Sequence, residues 1–312
     1  MQNGHVTAAI RTEGLTKRFG TVEALHGLDL DVAVGETLGY LGPNGAGKTV
    51  TIRLLLGLLR PTAGRAEIFG LDAHRDTIAA HARLAYVPGE MTLWPSLTGA
   101  ETLHLLGRVQ GHVDTAYRDE LIEHFQLDPS KKVRAYSKGN RQKIGIIAAF
   151  ASRADLLVLD EPTSGLDPLM EREFRRAVST ARTKGQTVFL SSHILSEVEA
   201  LCDRVAILRN GRLVEIGTMS DLRHLSSLSI EATFTSTPPD LSGVPGIHDI
   251  EIDGNHLRCQ VTGPVEPLLK RLSAVGVTQM LSREPSLEEI FLAHYGAEPG
   301  TEPDAATAPR AG

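Results

Sequence analysis

The run Gly42-Pro43-Asn44-Gly45-Ala46-Gly47-Lys48-Thr49 restricts this chain more than any other stretch. It satisfies G-x-x-x-x-G-K-[ST] at every fixed position. An apolar run, 37–41, precedes it and reads as a buried strand; the stretch 49–59 that follows has helical length and good helix formers. In that context the loop can wrap an anion. Glycines keep side chains out of the way, so backbone N–H groups converge on a phosphate. Helix onset at Lys48 adds unpaired N–H donors and the positive end of the dipole. Lys48 then reaches the terminal phosphates of a nucleoside triphosphate, and the Thr49 hydroxyl sits on Mg²⁺. The loop, with Val50 behind it, is the expected nucleotide-binding set.

Other stretches place reactive side chains where α/β folds bind ligands. Leu156-Leu157-Val158-Leu159 reads as a buried strand ending in Asp160-Glu161. Asp160 can bind Mg²⁺ directly or through water, and Glu161, pointing the other way, can take a proton from an attacking water. Residues 187–190 form a further apolar strand with Ser191-Ser192-His193 at its carboxyl end. A histidine there is either structural or a group facing the phosphates. Ser137 is a plausible N-cap with Gly139 in the first turn of an apolar helix to Phe150, which alone reads as a basic helix start. Phe19, in a chain only 4% aromatic, either stacks on adenine or joins the core.

The order of elements sets the fold class. Strands are expected at 10–19, at 24–34 (with Leu28, Leu30 and Val32 facing a core), at 65–69 and at 84–87. Thr98-x-x-Glu101 is a capping box opening a helix to about Arg108, and 117–125 is a second helix. This mainly helical stretch, about 95–150, interrupts an α/β pattern and reads as an inserted subdomain. Ser164-Gly165-Leu166-Asp167-Pro168 is a turn before an amphipathic helix at 171–181. Asn210-Gly211 joins 204–208 to 212–216 as a hairpin with a type I′ turn. The character changes after residue 222. Strands at 228–234, 247–252, 257–261 and 277–281, a helix at 265–274 and a last helix capped by Ser286 and Glu289 make 223–296 a small α+β domain. Residues 297–312, rich in Ala, Pro, Gly and Glu, hold too few apolar residues to fold.

Composition narrows the function classes. At 312 residues, one large domain (1–222) plus a smaller one is expected. A hydrophobic share of 41% with 22% charged residues is ordinary for a soluble globular protein. No apolar run reaches the roughly 18 residues of a spanning helix, and residues 1–9 lack a signal-peptide pattern. A cytoplasmic chain is expected, whose membrane role comes through a partner. Cys202 and Cys259 lack metal spacing and read as buried thiols. A net charge of −6 argues against a nucleic-acid surface.

Read together, over about residues 10–217, these pieces resemble the ATP-binding subunit of an ABC transporter: a P-loop NTPase cassette with an inserted helical subdomain. The resemblance makes residues 42–49 the Walker A loop, 156–161 the Walker B strand with its catalytic glutamate, and 164–167 the D-loop. It makes His193 the switch histidine and Phe19 the aromatic of the A-loop. Tyr136-Ser137-Lys138-Gly139-Asn140 stands in place of the signature LSGGQ, in a form similar to bacterial ABC-2-type exporters. The C-terminal Glu284-Pro285-Ser286-Leu287-Glu288-Glu289-Ile290-Phe291 resembles the extension of drug- and antibiotic-type export subunits. One departure stands out: Gly89 falls where the Q-loop has glutamine, with Glu90 next. Glu90 either supplies a carboxylate to Mg²⁺ or stays solvated or pairs with a permease cation.

The resemblance implies an ATPase on the cytoplasmic face of the membrane that powers efflux of a drug-like or antibiotic compound. Lys48, Glu161 and His193 would act on the γ-phosphate. Ser137 and Gly139 would complete the site of a second copy in a nucleotide-sandwich dimer, and a permease would dock near 89–96. Trp94 either lines that groove or packs locally. Rival readings are an ABC exporter of lipid or polysaccharide, a small-molecule kinase, and a soluble ABC protein. The long coiled coils of DNA-repair types and the paired cassettes of ribosomal types are both missing from the sequence.

Overall fold

The computed structural model describes residues 8–224 and 228–283. The chain divides at Met219/Ser220 into two compact units. In the first, β1 (Ala8–Phe19), β2 (Val22–Ala33) and β3 (Thr37–Leu41) lead to α1 (Lys48–Leu55). Then come β4 (Ala63–Ile68), β5 (Leu71–Asp72), α2 (Thr77–His81), β6 (Leu84–Val87), α3 (Gly99–Gln110), α4 (Thr115–His124) and α5 (Lys138–Ala151). The unit continues with β7 (Leu156–Asp160), α6 (Pro168–Thr183), β8 (Thr187–Ser192), α7 (Leu195–Leu201), β9 (Arg204–Arg209) and β10 (Arg212–Thr218). A short α8 (Met219–His224) spans the division.

A six-stranded sheet in the order β10-β9-β3-β8-β7-β6 organises this unit, parallel except at the β10 edge. Both faces of its central strands are covered, which is why 156–159 and 187–190 are continuous apolar runs. Alternate side chains go to opposite cores. Leu156 and Val158 join Tyr40, Ile52 and Leu55 on one side; Leu157 and Leu159 join Ile147, Phe150 and Phe174 on the other. An antiparallel sheet, β2-β1-β4-β5, contributes Leu28, Leu30 and Val32 to the first core, as their alternation predicts. α3, α4 and α5 build the second core with Leu103, Tyr117, Leu121 and Phe125.

The Thr98–Glu101 capping box is formed in full. Asn210 and Gly211 both take positive φ, as a type I′ turn requires. Some bounds depart from expectation. α1 stops at Leu55 rather than 59, because Gly57 adopts φ +64 with a Cβ position only 2.5 Å from the Ala73 carbonyl. α6 begins at Pro168, not 171: Asp167 caps it by accepting from the amides of Leu169 and Met170, and proline suits the first turn. α7 was not anticipated, having no side-chain cap to announce it.

The second unit carries β11 (Leu228–Phe234), β12 (Ile247–Asp253), β13 (His256–Val261), α9 (Glu266–Ser273) and β14 (Val277–Arg283). Its antiparallel sheet runs β12-β13-β11-β14, and its core comprises Ile230, Phe234, Leu257, Cys259, Leu268 and Leu272. The helix expected from Ser286, the stretch 284–291 and the tail 297–312 lie outside the described residues. No described helix is long and apolar enough to cross a membrane.

Candidate functional site

Three neighbouring strands bring the candidate residues to one edge of the sheet. β8 lies between β3 and β7, with Leu41 opposite Ser192 and Asp160 opposite Ser191. The loop after β3, the carboxylates after β7 and the histidine after β8 therefore emerge together at the carboxyl ends, the ligand-binding edge of open α/β sheets.

Gly47 precedes α1 at φ +110, and a Cβ there would come within 2.9 Å of the Ala24 carbonyl, so only glycine makes this turn without displacing β2. The turn carries the Lys48 ammonium into the loop. It is buried, donating to the carbonyls of Gly42 at 2.5 Å and Pro43 at 3.3 Å. Glu161 lies over it. One carboxylate oxygen is 3.6 Å from Lys48 Nζ and the other 3.3 Å from His193 Nδ1, so the two basic groups hold Glu161 between them. Glu161 itself takes φ +48, a left-handed conformation costly for a residue with a side chain. Its amide donates to the Ser191 carbonyl at 2.9 Å, which fixes that turn.

Asp160 is buried beside it. Ser191 Oγ donates to one carboxylate oxygen at 2.9 Å, and Thr49 Oγ1 stands 3.5 Å from the other. Burial pushes the Asp160 carboxyl above the usual carboxylate range and Glu161's charge adds to this; the Ser191 bond and Lys48 oppose it. A threonine hydroxyl and a carboxylate converging at a helix start are hard oxygen donors of the kind Mg²⁺ takes. Among the described residues no group of three or more His, Cys, Asp and Glu converges on a metal. Two protein oxygens with the rest from water and phosphate is the usual Mg²⁺ arrangement beside a nucleotide.

The structure thus gathers Lys48, Thr49, Asp160, Glu161 and His193, with Gly42, Pro43, Ala46 and Gly47 shaping the loop and Asn44 and Gly45 exposed on it. Val50 is half-buried against the first core. Four further candidates make no described hydrogen bond or ion pair to this group. Phe19 is exposed at the end of β1, with Lys17 Nζ 5.0 Å above its ring. Ser137 caps α5 by accepting from the Asn140 amide. Gly139 packs on the turn before α6, where an added Cβ would lie 2.4 Å from the Gly165 carbonyl. Glu90 is exposed, while Gly89 before it packs on the Asp160 carbonyl. Ser191 was not singled out from sequence. Only the β7–β8 register reveals that its hydroxyl faces Asp160.

A family model described as ABC transporter matches residues 25–164. The chain is 36% identical to a daunorubicin resistance ATP-binding protein, DrrA3, of Streptomyces coeruleorubidus, over 91% of this chain and 95% of that one. It is 34% identical to the bacitracin transport ATP-binding protein BcrA of Bacillus licheniformis, over 93% and 98%. A solved ATP-binding subunit of an ABC transporter superposes with a TM-score of 0.65 at 32% identity, over 69% of this chain and 92% of the other.

Proposed function

The chain belongs to the family of ABC transporter ATP-binding subunits, and we propose that it hydrolyses ATP to drive efflux of a drug-like or antibiotic compound through a separate permease. The observation that carries this is the Glu161 carboxylate held between Lys48 and His193 above a phosphate-binding loop. The relatives' daunorubicin and bacitracin names support the cargo class. Its place in this reading is the cytoplasmic face of the membrane, bound to that permease.

ATP binds with its phosphates in the loop 42–49. The Lys48 ammonium has three donors and can exchange its carbonyl partners for β- and γ-phosphate oxygens. Its position is set before binding, so little reorganisation accompanies the reaction. Glu161 accepts the proton of the attacking water, and His193, beside its second oxygen, keeps that carboxylate aimed and contacts the γ-phosphate. Thr49 and Asp160 would hold Mg²⁺, which when bound supplies compensation for phosphate charge. Glu90 lies outside that pair, and we expect it to serve the permease rather than the metal. Glu90→Ala should then leave the Mg²⁺ concentration for half-maximal hydrolysis unchanged; a rise would bring its carboxylate into the site.

Ser137 and Gly139 share no hydrogen bond or ion pair with the loop 42–49 among the described residues. The likeness of 136–140 to the ABC signature supports a site completed by a second copy, with two ATP molecules sandwiched between the signature of one and the loop of the other. The test is transport. With its membrane partner in vesicles, the wild-type chain should drive ATP-dependent movement of daunorubicin or bacitracin, and Glu161→Gln should not. Movement independent of ATP, or equal in the variant, would overturn the reading.

A further inference from the structure

Glu197 on α7 is 3% exposed, yet its carboxylate does not lie in the site. One of its oxygens, Oε2, accepts from Ser192 Oγ at 2.8 Å and from Thr163 Oγ1 at 3.3 Å. Glu171 and Arg175 of α6 face it, with opposite electrostatic effects. Burying a carboxylate costs more than burying an apolar side chain of similar size, so tight packing alone would favour another residue here.

What the carboxylate does gain is position. Thr163 lies two residues after Glu161, and Ser192 lies immediately before His193. The same two segments meet at the Glu161 amide and the Ser191 carbonyl. We infer that Glu197 is a positioning residue of ATP hydrolysis: its buried carboxylate staples the Glu161 turn to the His193 turn and so sets the spacing of the proton acceptor and the histidine beside it. The inference rests on the proposed roles of Glu161 and His193. Because Glu197 touches neither the loop 42–49 nor Lys48, losing it should slow the reaction without weakening ATP binding.

The full chain tests this by steady-state hydrolysis and by hydrogen exchange. Glu197→Ala should lower kcat by about tenfold to a hundredfold, the cost of a small misplacement of reacting groups, with the KM for ATP unchanged. Glu197→Gln should recover most of the rate, since an amide oxygen still accepts from both hydroxyls. Thr163→Val, which removes one bond with little change of shape, should lower kcat at unchanged KM and add no further loss on top of Glu197→Ala. It carries the test should Glu197→Ala fail to fold. Hydrogen exchange reads the staple without hydrolysis: amides at 161–167 and at 191–194 should both exchange faster in Glu197→Ala. Wild-type kcat in Glu197→Ala or in Thr163→Val would overturn the inference. So would a loss of ATP affinity, a glutamine variant as slow as the alanine one, or exchange that rises in only one segment or neither. A wild-type chain that does not hydrolyse ATP would instead refute the functional reading, while exchange would still decide the staple.

Discussion

Asp160 shows at the scale of one residue how the site opposes the fold. Burial raises its carboxyl pKa, so the folded chain holds that proton more tightly than the unfolded one. The contribution to stability is therefore full below the unfolded carboxylate pKa and is lost as pH rises through the raised folded value, above which the ionised group is a net cost. Asp160→Asn should raise the thermal midpoint of the nucleotide-free chain at pH 7, by about 2–4 °C per kcal/mol gained, and remove the stabilisation brought by ATP with Mg²⁺. Differential scanning fluorimetry with and without nucleotide checks both. The positions of Lys48, Thr49, Asp160 and Glu161 were legible because each belongs to a short local pattern at a strand end, whereas His193 was left open by its local pattern and took its expected role from the family resemblance. The left-handed turn at Glu161 and the hydroxyls of Ser191, Ser192 and Thr163 were not. They take their meaning from the pairing of strands about 30 residues apart in sequence, which no local pattern encodes.

Elements were read well where caps and periodicity agree, and missed where a distant contact decides. Thr98 and Glu101 announced α3, and Thr98→Ala should cost about 1 kcal/mol, read from denaturant unfolding, by leaving the Glu101 amide without the hydroxyl oxygen it donates to. The start of α6 was written in Asp167-Pro168, but the same residues also make turns, so the helix looked shorter than it is. The end of α1 depends on how close Gly57 comes to Ala73, a contact invisible in the run of leucines around it. At α5, Gly139 lets the helix start lie on the Gly165 carbonyl, and Lys138 Nζ reaches Ser164 Oγ at 3.1 Å. Gly139→Ala should push α5 off that turn, destabilising the chain by about 1–3 kcal/mol and slowing hydrolysis more than it weakens ATP binding. Calorimetry and the ratio of kcat to KM separate those effects.

For the whole molecule, every gathered candidate lies in the unit ending at Met219, and the unit beginning at Ser220 has its own core around Phe234 and Leu268. A chain truncated after Leu222 should fold and bind ATP, since all six strands of the sheet and the whole loop 42–49 precede that point; isothermal titration with ATP checks this. The continuous apolar runs of β3, β7 and β8 and the alternation along β2, β11 and β13 made those strands legible, because each one's burial is written along its own length. The most direct measurement for the chain as an ATPase is phosphate release from ATP and Mg²⁺ by the purified full chain, wild type against Glu161→Gln. The amide keeps the shape of the side chain and removes the proton acceptor, so release should fall by about 10²–10⁴-fold. Equal rates in the two proteins would contradict Glu161 as the base and, with it, the mechanism proposed for this site.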